Sequence, residues 1–147
     1  MKLSAESHRE VEEFFRKHSG TPRLVLPPVY VYAGGLAKLL TAAAGGVAAI
    51  TFGRMVFVRP SLVGKDSGGR AELPAGLLVH EAAHVLQYAE RGTLRFLAGY
   101  LLEYFRVLWG GKRLDAAARN TAYLAIPEER AAREAERAYV ESRRGTA

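Results

Sequence analysis

Cysteine is absent from all 147 residues. Disulfides, zinc ribbons and thiol nucleophiles are therefore excluded, and any metal site must be built from His, Glu or Asp. Side-chain amides are almost missing as well, with Asn120 and Gln87 the only two, while arginine outnumbers lysine 16 to 5. That balance is expected of a heat-adapted or high-GC source. No charge-free apolar stretch exceeds Leu39–Gly53, which falls short of the roughly twenty residues a spanning helix needs. A transmembrane segment is not expected. Residues 1–18 are charged and polar throughout, unlike a secretory leader, so a cytoplasmic protein is the expectation.

Hydrophobic residues make up 49% and charged residues 24%, the composition of a globular chain with one core. We expect a single domain over 1–147, in which 1–30 form an N-terminal helix and a Pro-rich linker. The net charge of +6 would suit nucleic acid or an anionic membrane surface. Its distribution argues against nucleic acid, because basic residues are spread along the chain and the C-terminal stretch mixes Glu with Arg, as a solvated helix face does. Peripheral membrane contact stays open.

Periodicity and breakers predict the elements. Ser7 with Glu10 forms a capping box for a helix over 7–18, with Val11, Phe14 and Phe15 as its apolar stripe. Pro22, Pro27 and Pro28 mark an extended linker, and residues 34–44 form a short helix ended by Gly45-Gly46. Two β-branched and aromatic runs flank Gly53-Arg54, which predicts a hairpin over 47–60. Three glycines make 61–70 a flexible loop. Helices are then expected over 74–91, stopped by Gly92, over 94–109, over 115–124, and from Pro127 to about Arg144. The fold class is α+β, mainly helical, with a small antiparallel sheet or hairpin before the helix that bears the motif below.

Residues 80–84 read His-Glu-Ala-Ala-His. Histidines at i and i+4 lie one turn apart on one helix face, so both imidazoles can reach one ion at about 2.0–2.1 Å. Glu81 is placed to contact a water on that ion and to take its proton. The plain alternative is a pair of structural histidines satisfied by protein groups. Leu77, Leu78, Val85 and Leu86 surround the motif with a buried face, where unsatisfied imidazoles are costly. A catalytic zinc takes three protein ligands. His8 and His18 sit among charged residues and read as surface histidines. Residue 90 is Glu, so the HExxHxxGxxH pattern is absent. The third ligand is then a later carboxylate, from Glu128, Glu129, Glu134 or Glu136.

The segments Ala49-Ile-Thr-Phe-Gly53, Met55-Val-Phe-Val58 and Leu77-Leu-Val-His-Glu-Ala-Ala-His-Val-Leu-Gln87 resemble a small HExxH zincin of gluzincin type. The likeness is to the minigluzincins and to the metallopeptidase domain assigned to extracellular contractile injection systems. It covers about residues 47–92 and 126–132. The resemblance implies a zinc-dependent metallopeptidase-like domain acting on a peptide or protein substrate. In the Glu129-Arg-Ala-Ala-Arg133 frame it implies Glu129 as third ligand beside His80 and His84, with Glu128 the alternative. Arg133 stands where such families often carry an acid that would hold a ligand histidine. Zincins also present a strand edge to their peptide, and Met55, Val56 and Phe57 of the matching strand become the expected substrate-binding residues.

Peptide hydrolysis needs a group to stabilise the oxyanion. Tyr123 is the first choice for this catalytic role beside Glu81, with Tyr100, Tyr104 and Arg133 as alternatives. The aromatic run Leu94–Trp109 is expected to be the central buried helix; its other reading is a partly exposed face for a partner, a second subunit or a membrane surface. A second functional reading is a zinc-stabilised binding or regulatory module with little turnover, to which Arg133 in place of an acid lends support.

Overall fold

Ser4, rather than Ser7, starts the first helix. Its side chain accepts the Ser7 N–H at 3.1 Å, and its own N–H is held by the Ala71 carbonyl at 3.0 Å. A cap pinned by tertiary contact displaces the local capping box by one turn. The computed structural model, which describes residues 1–111 and 115–145, is mainly helical with a small mixed sheet, an α+β fold as expected. In chain order the elements are α1 (Ala5–His18), β1 (Tyr30–Tyr32), α2 (Gly35–Ala43), β2 (Ala49–Phe52), β3 (Met55–Val58), a 3-10 turn, β4 (Gly64–Lys65), β5 (Ala71–Glu72), α3 (Ala75–Arg91), α4 (Thr93–Gly110), α5 (Ala116–Ala125) and α6 (Pro127–Arg144).

The hairpin forms where β-branched and aromatic residues flank Gly53, whose φ of 60° places it in the left-handed region that glycine enters without Cβ strain. β2 and β3 pair antiparallel. Two features depart from expectation. The end of the Pro-rich linker becomes β1, which pairs parallel to β3. The segment read as a flexible loop carries a second small hairpin, β4 with β5. Its turn is held by Asp66, whose Oδ1 accepts the N–H groups of Gly68 and Arg70 at 2.8 Å each.

Period-2 alternation buries Val56 and Val58 of β3 against the helices. There they join Val31, Leu78, Val79, Ala82 and Val85 in one core. α6 contributes Ala132, Ala135 and Tyr139 to that core, at the 3- and 4-residue spacings that keep one helix face inward. Small side chains on this face let α6 lie close to α3. At Gly76 an added Cβ would meet Glu136 Oε1 at 3.3 Å and Val140 at 3.5 Å. α1 closes the far side of the core, with Phe14 edge-on to Tyr139 and Tyr139 donating to Glu10 at 2.6 Å.

The expectation for the aromatic helix is overturned. Only Phe96 and Leu108 of α4 are buried, while Leu94, Leu102 and Trp109 are 84%, 72% and 69% exposed. One face of α4 meets α3 and α5, and the side chains of the other stand exposed. No helix among the described residues is long and apolar enough to cross a membrane.

Candidate metal centre

α3 presents His80 and His84 on one face, with ring centroids 5.0 Å apart. Ile126, fully buried at the start of α6, and Pro127 in its first turn set that helix so that Glu129 enters the same space. His80 Nε2 lies 3.4 Å from Glu129 Oε2, and His84 Nε2 lies 3.3 Å from Glu129 Oε1. All three residues are buried, and one ligand atom from each falls within 4.8 Å of the others. Glu129 Oε2 has no hydrogen-bond partner among the described residues, a deficit that costs about 1–3 kcal/mol, more for a charged oxygen.

These distances fit a metal ion. Bonds of about 2.0–2.1 Å in tetrahedral geometry separate ligand atoms by about 3.3–3.4 Å; each imidazole stands at that separation from a different oxygen of Glu129, and one atom from each residue lies within 4.8 Å of the others. The group His80–His84–Glu129 can therefore hold an ion that would satisfy the orphaned oxygen. Glu128, the competing choice, is turned away: its carboxylate pairs with Arg91. Glu134 is exposed. His8 contacts the Pro27 carbonyl and His18 stacks on Phe14, both on α1 and apart from the cluster.

Both imidazoles are oriented from behind. His80 Nδ1 is 3.2 Å from Glu136 Oε2, and His84 Nδ1 is 2.9 Å from Gln87 Oε1. Gln87 Nε2 donates in turn to the Glu128 carbonyl at 3.1 Å. A ring nitrogen engaged at Nδ1 leaves Nε2 as the ligand atom. Glu136 thus supplies the supporting carboxylate that Arg133 was expected to deprive the site of. It stands seven residues, two turns, after Glu129 on the same face of α6. That spacing could have found it as a support rather than as a ligand candidate. Thr51 lies in the Ala49–Gly53 segment of the resemblance but carries no implied role there; its hydroxyl donates to Glu81 Oε2 at 2.6 Å.

The charges follow from burial and from these contacts. Burial raises the Glu81 carboxyl above the usual carboxylate range; His84, the Thr51 hydrogen bond and His80 oppose it without cancelling it. Burial also works against the Glu129 carboxylate, but the close His80 and His84 rings, with the charge of His84, hold it well below its ordinary value. His84 is desolvated, yet Glu129 raises it overall.

Two tyrosines complete the cluster. Tyr100 donates to Glu129 Oε1 at 2.9 Å, and Tyr123 lines the same cleft, near enough to feel the Glu129 charge. Burial and the Glu129 charge raise both phenols, so both remain O–H donors near neutral pH. The Arg133 guanidinium lies over the Tyr123 ring, 5.4 Å from its centroid, and does not line the cleft.

The cluster forms the floor of a cleft of about 720 Å³. Ile50, Phe52, Phe96, Leu97 and Tyr104 give it largely apolar walls, and Arg119 adds a cation. No residue of 1–30 lines it.

The expected substrate strand needs correction. β3 is the middle strand of the order β1-β3-β2, so Met55, Val56 and Phe57 are paired on both sides and have no free edge for a peptide. The parallel pairing of β1 takes up the edge that a hairpin alone would leave open. β2 holds an outer edge of this sheet, and Ala49, Ile50, Thr51 and Phe52 all line the cleft.

No protein-family model matches this chain, and no curated protein or solved structure matches it significantly.

Proposed function

We propose that this protein is a zinc-dependent metallopeptidase that hydrolyses peptide bonds in the cleft, with His80, His84 and Glu129 as ligands. The observation that carries the reading is the convergence of two buried imidazoles and one buried carboxylate, with one ligand atom of each within 4.8 Å of the others, and Glu81 anchored beside them. Two imidazoles and one carboxylate form a donor set suited to zinc, and three protein ligands leave a fourth position for chemistry. The resemblance of the surrounding motifs to gluzincins supports the same reading.

When bound, the zinc supplies Lewis acidity, easing ionisation of a water and polarising the carbonyl under attack. Glu81 accepts a proton from the attacking water as the C–O bond forms. It delivers that proton to the amine nitrogen as the C–N bond breaks. Thr51 holds one oxygen of Glu81, leaving the other to carry the proton. Tyr123 donates its O–H toward the developing oxyanion, and Tyr100 steadies Glu129. The substrate backbone adds to the outer edge of β2, giving affinity without strong sequence preference. The apolar walls favour apolar side chains next to the scissile bond.

The binding-module reading drew on Arg133 in place of an acid. Glu136 occupies that supporting role against His80, so no observation favours the module. The test is zinc stoichiometry and cleavage of a quenched-fluorescent peptide library by the wild type and by Glu81→Gln. Hydrolysis by the wild type, lost in a variant that keeps its zinc, is expected. Failure to hold zinc, or equal cleavage by the variant, overturns the proposal.

A further inference from the structure

The outward face of α4 lies outside the metal centre and is apolar along its length. At about 100° per residue, Leu101, Leu94, Phe105, Ala98, Trp109 and Leu102 follow one another around the helix within a sector roughly 100° wide. Every one is exposed. Scattered exposed leucines are ordinary; an unbroken apolar sector over the length of an 18-residue helix marks an interaction surface. Phe105 and Trp109 stack at 5.3 Å between centroids, presenting two rings side by side.

Three observations select the occupant. Arg95 and Arg106, both exposed, border the sector next to Leu102 at about 100–120° on the same wheel. Arg95 makes no ion pair among the described residues. The helix's one acid, Glu103, lies beyond this border and pairs with Arg106 at 2.5 Å, so no negative charge enters the apolar face. The chain as a whole carries +6. Leucine, phenylalanine and tryptophan flanked by arginine on a helix not built to span a bilayer form the pattern of an interfacial helix.

Continuity with the cleft adds a direction. Tyr104 and Leu97, on the cleft wall, precede Leu101 around the helix by about 40–60°. The apolar lining therefore passes over the rim into the exposed sector. α2 exposes Leu36 and Leu39, and the residues at its end, Ala43 and Ala44, line the same cleft.

We propose that α4 docks on an anionic phospholipid surface, with Leu94, Leu102, Phe105 and Trp109 entering the headgroup boundary and Arg95 and Arg106 meeting phosphates. The cleft mouth then opens at the bilayer. On the peptidase reading, the substrate is a peptide segment lying at that surface. The docking does not depend on that reading.

Trp109 is the only tryptophan and reports on the face directly. The protein as purified is titrated with vesicles of phosphatidylcholine mixed with phosphatidylglycerol. The expected result is a blue shift of tryptophan emission, with quenching by brominated acyl chains. Leu102→Glu combined with Phe105→Glu should lower partitioning about tenfold or more while leaving the far-ultraviolet circular dichroism intact, since neither side chain is in the core. Arg95→Gln should weaken binding several-fold on anionic vesicles and not on neutral ones. Absence of any shift at saturating lipid overturns the proposal. So does emission already blue in lipid-free protein whose sedimenting mass doubles with concentration, since the face is then covered by a second copy.

Discussion

Glu136 Oε2 stands 3.2 Å from His80 Nδ1, joining α6 to the back of an imidazole 56 positions earlier in the chain. This contact fixes which ring nitrogen faces Glu129, and it crosses the closely packed α3–α6 interface at the level of Gly76. Glu136→Gln keeps the shape but loses the charge that makes the imidazole a better donor. Zinc affinity should fall about 10- to 100-fold, read by competition with a chromophoric chelator. An unchanged affinity would show that the contact plays no part in holding the ligand.

Thr51 and Glu81 form the second such pair, at 2.6 Å. Thr51→Val conserves volume and removes the hydroxyl. Because no ligand is touched, zinc stoichiometry should persist while kcat for peptide hydrolysis drops by about tenfold or more, the scale expected when a general base loses its positioning. Equal losses of zinc and turnover would assign Thr51 to the metal site instead.

The two tyrosines should separate. Tyr123→Phe removes the donor assigned to the oxyanion and is expected to reduce kcat by about 10²–10³-fold at full zinc occupancy. Tyr100→Phe removes the hydrogen bond to Glu129 Oε1 and should act mainly on affinity, by about tenfold. Chelator competition beside steady-state kinetics distinguishes them, and the reverse pattern would exchange their roles.

Tyr139 ties α6 to α1 through Glu10. Burial first, then the hydrogen bond and charge of Glu10, push its phenol from 10.0 up to about 12. The folded state thus keeps a proton that the unfolded chain releases from about pH 10. The stability this contributes is complete below pH 10 and is lost as pH rises toward 12. Tyr139→Phe should cost about 0.5–1.5 kcal/mol at pH 8, with a gap to wild type that narrows above pH 10. Urea melts at pH 8 and pH 11 provide the comparison, and an equal gap at both would count against the linkage.

Local signals carried much of the fold. The i, i+4 histidines needed only helical geometry to share a face, and α3 runs over the segment that Pro74 and Gly92 bracket. Pro127 opens α6 as its fixed φ permits, and the hairpin turns at the glycine between its two apolar runs. Among the candidate carboxylates, two adjacent residues lie about 100° apart on a helix, so either Glu128 or Glu129 could have served. Only the seating of α6 against α3 turned Glu129 inward and Glu128 toward Arg91.

The tertiary structure decided whatever depends on which surfaces meet. Strand order is one case: β1 is too short and too near prolines to announce itself, yet its parallel pairing makes β3 the central strand and moves the free edge to β2. The aromatic helix is another, since hydrophobicity says that a face seeks cover and not that the fold provides it; α4 covers its cleft side and leaves Leu94, Leu102 and Trp109 outside. The supports at Glu136, Gln87 and Thr51 belong here too. Sequence by itself determined the helices, the hairpin and the pair of histidines, because those follow from periodicity and turn chemistry within a few residues. The third ligand, the supports and the exposed face arise from contacts between distant segments, where backbone packing selects one rotation of each helix from several that the local pattern allows equally.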